Sequence, residues 1–187
     1  MKIDITYKIT KEINALANNN EQKTFSGHLG THFDVMNKVF PLDYTERKAV
    51  IFDVANINDG DIELNDIDIS LIDRDMFVIF YTGFIEKVGY GNTTYYKEHP
   101  QLSNELIDYL LAKKVSMIGV DFAGVRRSKE HTLADQRCAD NGCFVIENLC
   151  NLKEVLKHGV ICLVHTYPLN YGGLSGLPCR VIAEFND

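Results

Sequence analysis

Residues 28–38 read HLGTHFDVMNK: two histidines four apart, then a carboxylate two further on. Taken as an extended segment, its even positions His28, Gly30, His32 and Asp34 share one face. Leu29, Phe33 and Val35 then point towards a core. A helix would also bring the two histidines together, but Asp34 would leave their face, and Gly30-Thr31 makes a poor helix interior. At about 3.3 Å per residue a straight strand separates His28 from Asp34 by roughly 20 Å. Bonds to a metal are only about 2.0–2.2 Å long. If the three side chains share an ion, the chain must bend, and Gly30 is the residue that permits it. Imidazole with carboxylate suits Zn, Mn or Fe better than Ca or Mg. The competing reading is that these histidines only hydrogen-bond loop backbone.

Working outward, KIDITYKI (2–9) alternates as a first strand, and AVIFDVA (49–55) and MFVIFYTG (76–83) are β-rich apolar runs that read as buried strands. The acidic stretch between them, residues 56–75, has no calcium-loop spacing and reads as a solvated connection. HPQLSNELIDYLLAKKV (99–115) reads as a helix capped by Ser103, with Leu106, Leu110 and Leu111 as its apolar stripe. SMIGVD and CFVIEN read as strands, TLADQRCADN and LKEVLKHG as helices, and VICLVHTY and CRVIAEF as further strands. The expectation is one mixed α/β domain over residues 1–187, richer in strands than in helices.

Composition narrows the function classes. The net charge of −7 leaves no surplus of Lys and Arg for phosphates, so no nucleic-acid partner is expected. No run of about 18 apolar residues could span a membrane. MKIDITYKI lacks the basic and apolar regions of a signal peptide, so a cytoplasmic location is expected. Five cysteines without a C-x-x-C pair read as reduced, buried thiols. GLSGLP lacks the G-K-[ST] of a phosphate loop.

GTHFD, followed in order by YTG, HPQLS, IGVD, VIENLCNL and PLNYGGLSGLPCRVIA, resembles the metal-dependent cyclase family, which includes kynurenine formamidase and isatin hydrolase. The matches run from about residue 26 to 184. The resemblance implies a swivelling β/β/α fold, a site for one or two divalent ions (Mn or Zn), a small-molecule substrate, hydrolysis of a formamide or cyclic-amide C–N bond, and a homodimer or higher oligomer. His28, His32 and Asp34 match the first ligand group, and Glu147 the carboxylate of the second. Two positions depart from the pattern. The family's proline and histidine after the aspartate are here Met36 and Lys38, and the histidine twelve before the glutamate is Asp135.

These departures leave two readings. Asp135 can still ligate, making the set harder and favouring Mn; Lys38 can steady an oxyanion or protonate the leaving nitrogen, and Glu147 can take a proton. Alternatively hydrolysis is lost, leaving a relative that binds a metal or a small carbonyl compound. A structural or interaction protein without metal is the third class. His131, four before Asp135, either replaces the missing histidine or lies in a solvated loop. His99 reads as a turn residue, His158 as a helix-end residue, and His165 as a hydrogen-bonded core histidine on an apolar strand. GYGNTTYY (89–96) is either a substrate-covering loop or a surface that packs against a partner subunit.

Overall fold

The structure is a computed structural model that describes residues 1–17, 26–57 and 60–185. Its strands are β1 (Lys2–Asp4), β2 (His32–Asp34), β3 (Glu46–Asp53), β4 (Phe77–Tyr81), β5 (Met117–Val120), β6 (Phe144–Glu147), β7 (Ile161–Pro168) and β8 (Gly176–Glu184). The helices among the described residues are α1 (Lys11–Ala17), α2 (Phe84–Val88), α3 (Thr93–Lys97), α4 (Asn104–Lys113), α5 (His131–Asp140) and α6 (Leu152–Leu156).

The strands form one sheet in the order β1-β8-β2-β6-β5-β4-β3-β7, and a β7–β8 pairing joins its far strand back to β8. Seven strands therefore close into a ring, with β1 added outside. β8 makes this closure because it is nine residues long: Gly176–Pro178 pair with β2, while Cys179–Glu184 pair with β7. β3, β4, β5 and β6 run parallel. Such strands are covered on both faces, so they read as continuous apolar runs. β4 shows the division of labour: Phe77, Ile79 and Tyr81 join one core, while Val78 and Phe80 join another with Leu106, Ile107 and Leu110 of α4.

Ser103 caps α4 as its sequence implies, its hydroxyl accepting from the Leu106 amide. The acidic stretch is less solvated than expected. It makes 3-10 turns at Leu64–Asp66 and Ile69–Leu71, and Ile62 and Ile72 are buried in the second core; residues 58 and 59 lie outside the described set. The first strand is also shorter than KIDITYKI, because after Asp4 only a single bridge, Thr6 with Leu149, continues the pairing. All five cysteines are free thiols, four of them buried.

Candidate metal centre

Gly30 takes a φ of +72°, and there the chain turns from His28 into β2. The turn brings the two imidazole centroids to 4.8 Å. Asp34 Oδ1 lies 3.1 Å from His28 Nε2 and 3.5 Å from His32 Nε2. Phe33, between the two β2 ligands, points the other way into the first core and packs on Phe40. The alternation in HLGTHFDV thus holds along β2, and the bend supplies the rest.

Register brings in the distant carboxylate. β2 and β6 run antiparallel with His32 directly opposite Glu147. Directly opposed residues share a face, and His32 Nε2 sits 3.6 Å from Glu147 Oε2. α5 covers that face. Its positions 131, 135 and 138 follow helical spacing: Cys138 anchors in the second core, and His131 Nε2 lies 3.2 Å from Asp135 Oδ2 and 3.5 Å from Glu147 Oε1. Two groups, His28–His32–Asp34 and His131–Asp135–Glu147, each hold their ligand atoms within 4.8 Å of one another.

His131 is therefore not in a solvated loop; it opens α5 and completes the second group beside Asp135. Gly124 makes room for it: a β-carbon there would fall 2.4 Å from the His131 ring. Lys38 takes a different course. Its ammonium pairs with Asp140 Oδ1 at 2.6 Å at the exposed end of α5. Met36 explains part of this. Its φ is +56°, a conformation closed to the proline the family carries there, so the turn after Asp34 is built differently.

Neighbouring groups fix how the ligands face. His32 Nδ1 donates to the Gly30 carbonyl at 2.8 Å, which leaves Nε2 to ligate. Asn148, next to Glu147, donates to that same carbonyl and accepts from the Tyr95 hydroxyl at 2.6 Å. The Tyr90 hydroxyl accepts from the Gly30 amide. Tyr90 and Tyr95 of GYGNTTYY thus brace the site's bend, with Tyr95 fully buried.

Asp34, Asp135 and Glu147 are all buried, and buried charge needs a partner. Among the described residues no Lys or Arg pairs with Asp34 or Asp135. Burial alone would raise Asp34, but the imidazoles of His32 and His28 outweigh it and hold the carboxyl below the usual carboxylate range. Burial, with Asp34 nearby, pushes Asp135 well above that range. Burial also lowers His131, favouring its neutral, ligating form. His32 Nε2, Asp34 Oδ2 and Asp135 Oδ1 are buried without a hydrogen-bond partner. Unpaired ligand atoms in both groups, a neutral His131 imidazole and crowded carboxylates fit divalent cations.

The fold and the family are visible in known proteins. A structure described as a potential metal-dependent hydrolase with cyclase activity aligns at TM-score 0.76 and 22% identity, over 98% of this chain and 96% of that one. A "predicted metal-dependent hydrolase" from Bacillus stearothermophilus aligns at 0.72 and 20%, over 98% and 97%. Isatin hydrolase A from Labrenzia aggregata aligns at 0.67 and 19%, over 82% and 72%. No curated protein matches the chain. The family described as "Putative cyclase" matches residues 3–126, well over half of the chain and including His28, His32 and Asp34. The chain belongs to this cyclase family.

Proposed function

We propose that the protein is a metal-dependent hydrolase that cleaves the C–N bond of a formamide or cyclic amide. The observation that carries this reading is the meeting of the two ligand groups across the His32–Glu147 pair, with unpartnered ligand atoms in both. The likeness to isatin hydrolases, whose named substrate contains a ring amide, supports the bond type.

His28, His32 and Asp34 would hold one ion, and His131, Asp135 and Glu147 a second. An ion there supplies Lewis acidity, polarising a carbonyl and lowering the pKa of water towards about 7. The other roles belong to the chain. Glu147, at the end of β6, or Asp135, on α5, would accept the proton of an attacking water and return it to the departing nitrogen. Gly30 and Asn148 orient His32, and the two cores keep bulk water from the buried carboxylates. Lys38, engaged by Asp140, is left outside this chemistry. The metal set of three imidazoles and three carboxylates accepts Zn or Mn, and the carboxylate-rich second group favours Mn.

Absence of the two family histidines at positions 38 and 135 favours a second reading, a relative that binds metal or a carbonyl compound without turnover. Elemental analysis of protein purified without chelator, beside His32→Ala and Asp34→Ala, tests the centre; assays on formanilide and isatin test the chemistry. One or two equivalents of Mn or Zn, lost in both variants, with metal-dependent turnover, are expected. Metal without turnover, regained by Lys38→His with Asp135→His, would establish the second reading. No metal after incubation with Mn or Zn would sink the hydrolase and the metal-binding form of the second reading. The oligomer expected from the resemblance also stands as a proposal: Val39, Leu42 and Tyr171 are exposed around one groove, and sedimentation equilibrium tests it.

A further inference from the structure

His131 joins the second ligand group as the first residue of α5, so its place depends on the turn that leads into the helix. That turn is an irregular one. Ser128 takes a φ of +54° and opens a 3-10 turn over Ser128–Glu130. Glu130, directly before His131, makes no side-chain capping bond to α5. Something else must hold the helix start.

Arg126 does so. Its side chain is buried and reaches three separate segments of the chain. Nη1 pairs with Asp61 and donates to the Leu102 carbonyl at 2.8 Å. Nε donates to Glu130 Oε2 at 2.7 Å, and Nη2 lies 2.6 Å from the same oxygen. A planar guanidinium carries its donors in a fixed fork, so one side chain can hold all three anchors in one geometry. The anchors are tied to one another as well. Gln101 Nε2 donates to Asp61 at 3.2 Å, and Gln101 Oε1 accepts from the Arg127 amide at 2.8 Å. A parallel bridge joins Ile62 to Leu102. Asp61 comes from the acidic stretch 56–75, which thereby supports the helix that carries two ligands.

The backbone of Arg126 meets the ring itself. A β-carbon on Gly124 would fall 2.4 Å from His131 Nδ1 and 3.0 Å from the Arg126 carbonyl oxygen, so both atoms adjoin one point. His131 Nε2 faces the other way, towards Asp135 and Glu147. A carbonyl only accepts, so this one favours a proton on Nδ1 and leaves Nε2 its lone pair. The Gly30 carbonyl sets His32 in the same sense.

We infer that Arg126 is the positioning residue of the second ligand group: its guanidinium seats the start of α5 through Asp61, the Leu102 carbonyl and Glu130, and its carbonyl turns His131 so that Nε2 faces Asp135 and Glu147. The ligating role of His131 rests on the metal centre proposed above, whereas the seating of its ring does not.

Proton–nitrogen correlation spectra of the histidine rings in metal-free protein read the seating directly, and calorimetric titration with Mn reads its consequence. At neutral pH the parent should show His131 as a single Nδ1–H tautomer. Arg126→Met should turn it into a mixture of tautomers and leave His32 as it was. In the Mn titration the same variant should weaken the ion at His131–Asp135–Glu147 by about 10–100-fold, the usual cost of removing a support behind a ligand. The ion at His28–His32–Asp34 should bind as before. Arg126→Lys, which keeps the charge without the fork, should restore part of the loss. Glu130→Gln alters an exposed side chain and keeps the Asp61 and Leu102 contacts, so it carries the test if Arg126→Met does not fold; it should move the same ring and the same ion by less. An unchanged His131 ring would overturn the inference. Equal weakening of both ions, or equal disturbance of His32, would also overturn it, because Arg126 would then only stabilise the fold. A parent that takes up no Mn would remove the metal reading, and the ring spectra would still decide the role of Arg126.

Discussion

His131 and Lys38 each take their place in the structure for a local reason. His131 is usable because α5 begins at that residue, which sets it one helical turn before Asp135 on the sheet-facing side. The sequence reading starts this helix one residue later, at Thr132, within the usual scatter of helix ends. Lys38 is carried outward by the Met36 turn and captured by Asp140. Lys38→Ala is therefore expected to leave metal content unchanged and to alter turnover by less than about twofold, since an exposed ion pair contributes about 0–1 kcal/mol; a collapse of kcat at full metal occupancy would return Lys38 to the chemistry. His99 makes a pH prediction. Its buried imidazole titrates at about 4 in the folded protein against an ordinary value of 6.5, so between those values the unfolded chain binds more protons. Stability should fall as pH drops through that window, by on the order of 3 kcal/mol in full. Urea midpoints at about pH 7 and pH 4.5 should differ less in His99→Phe than in the parent, because that variant lacks the titrating ring; equal differences would show that His99 is not held neutral.

Two glycines decide what the secondary-structure elements can carry. Gly30 at positive φ turns the loop into β2, and a β-carbon there would also press on Ile9 Cδ1 at 2.8 Å. Gly124, at a φ of +102°, lies against the ring of His131 and lets α5 approach the loop after β5. Gly124→Ala is expected to destabilise the protein by roughly 1–3 kcal/mol, through backbone strain and overpacking. It should also displace His131, so that metal analysis shows the loss of one ion of two, as in His131→Ala, while the ion at His28–His32–Asp34 remains. Retention of full metal content in Gly124→Ala would show that His131 does not ligate from this seat. Strands and helices themselves were largely readable. Ser103 caps α4 because a short hydroxyl side chain before an apolar stripe has few other uses, and β4 is apolar throughout because parallel strands are buried on both faces.

Across the chain as a whole, the buried carboxylates would couple cation binding at the proposed centre to folding. Asp135 sits in the interior without a Lys or Arg partner among the described residues and beside Asp34, so its ionised form in the protein stripped of metal carries an uncompensated cost. Binding to the native state at one hundred times Kd adds about 2.7 kcal/mol, and at about 2–4 °C per kcal/mol for a chain of this size chelation should lower Tm by roughly 5–10 °C. Differential scanning calorimetry with and without chelator measures this, and restoring Mn or Zn should restore Tm. An unchanged Tm would mean that the carboxylates are satisfied by protons alone.

The division between what could be read and what had to be folded follows interaction range. Strand and helix identities, the Ser103 cap and the first ligand group rest on residues a few positions apart, whose geometry is limited by backbone sterics and by one bend at Gly30. The family resemblance extended that reading to Asp135 and Glu147. The opposition of His32 to Glu147, the entry of His131, the diversion of Lys38 and the anchoring of Arg126 depend on strand register and helix seating. Those are set by how the two cores pack and by β8 closing the ring, and no local pattern encodes them, because the groups involved lie tens of residues apart and meet only when the sheet closes.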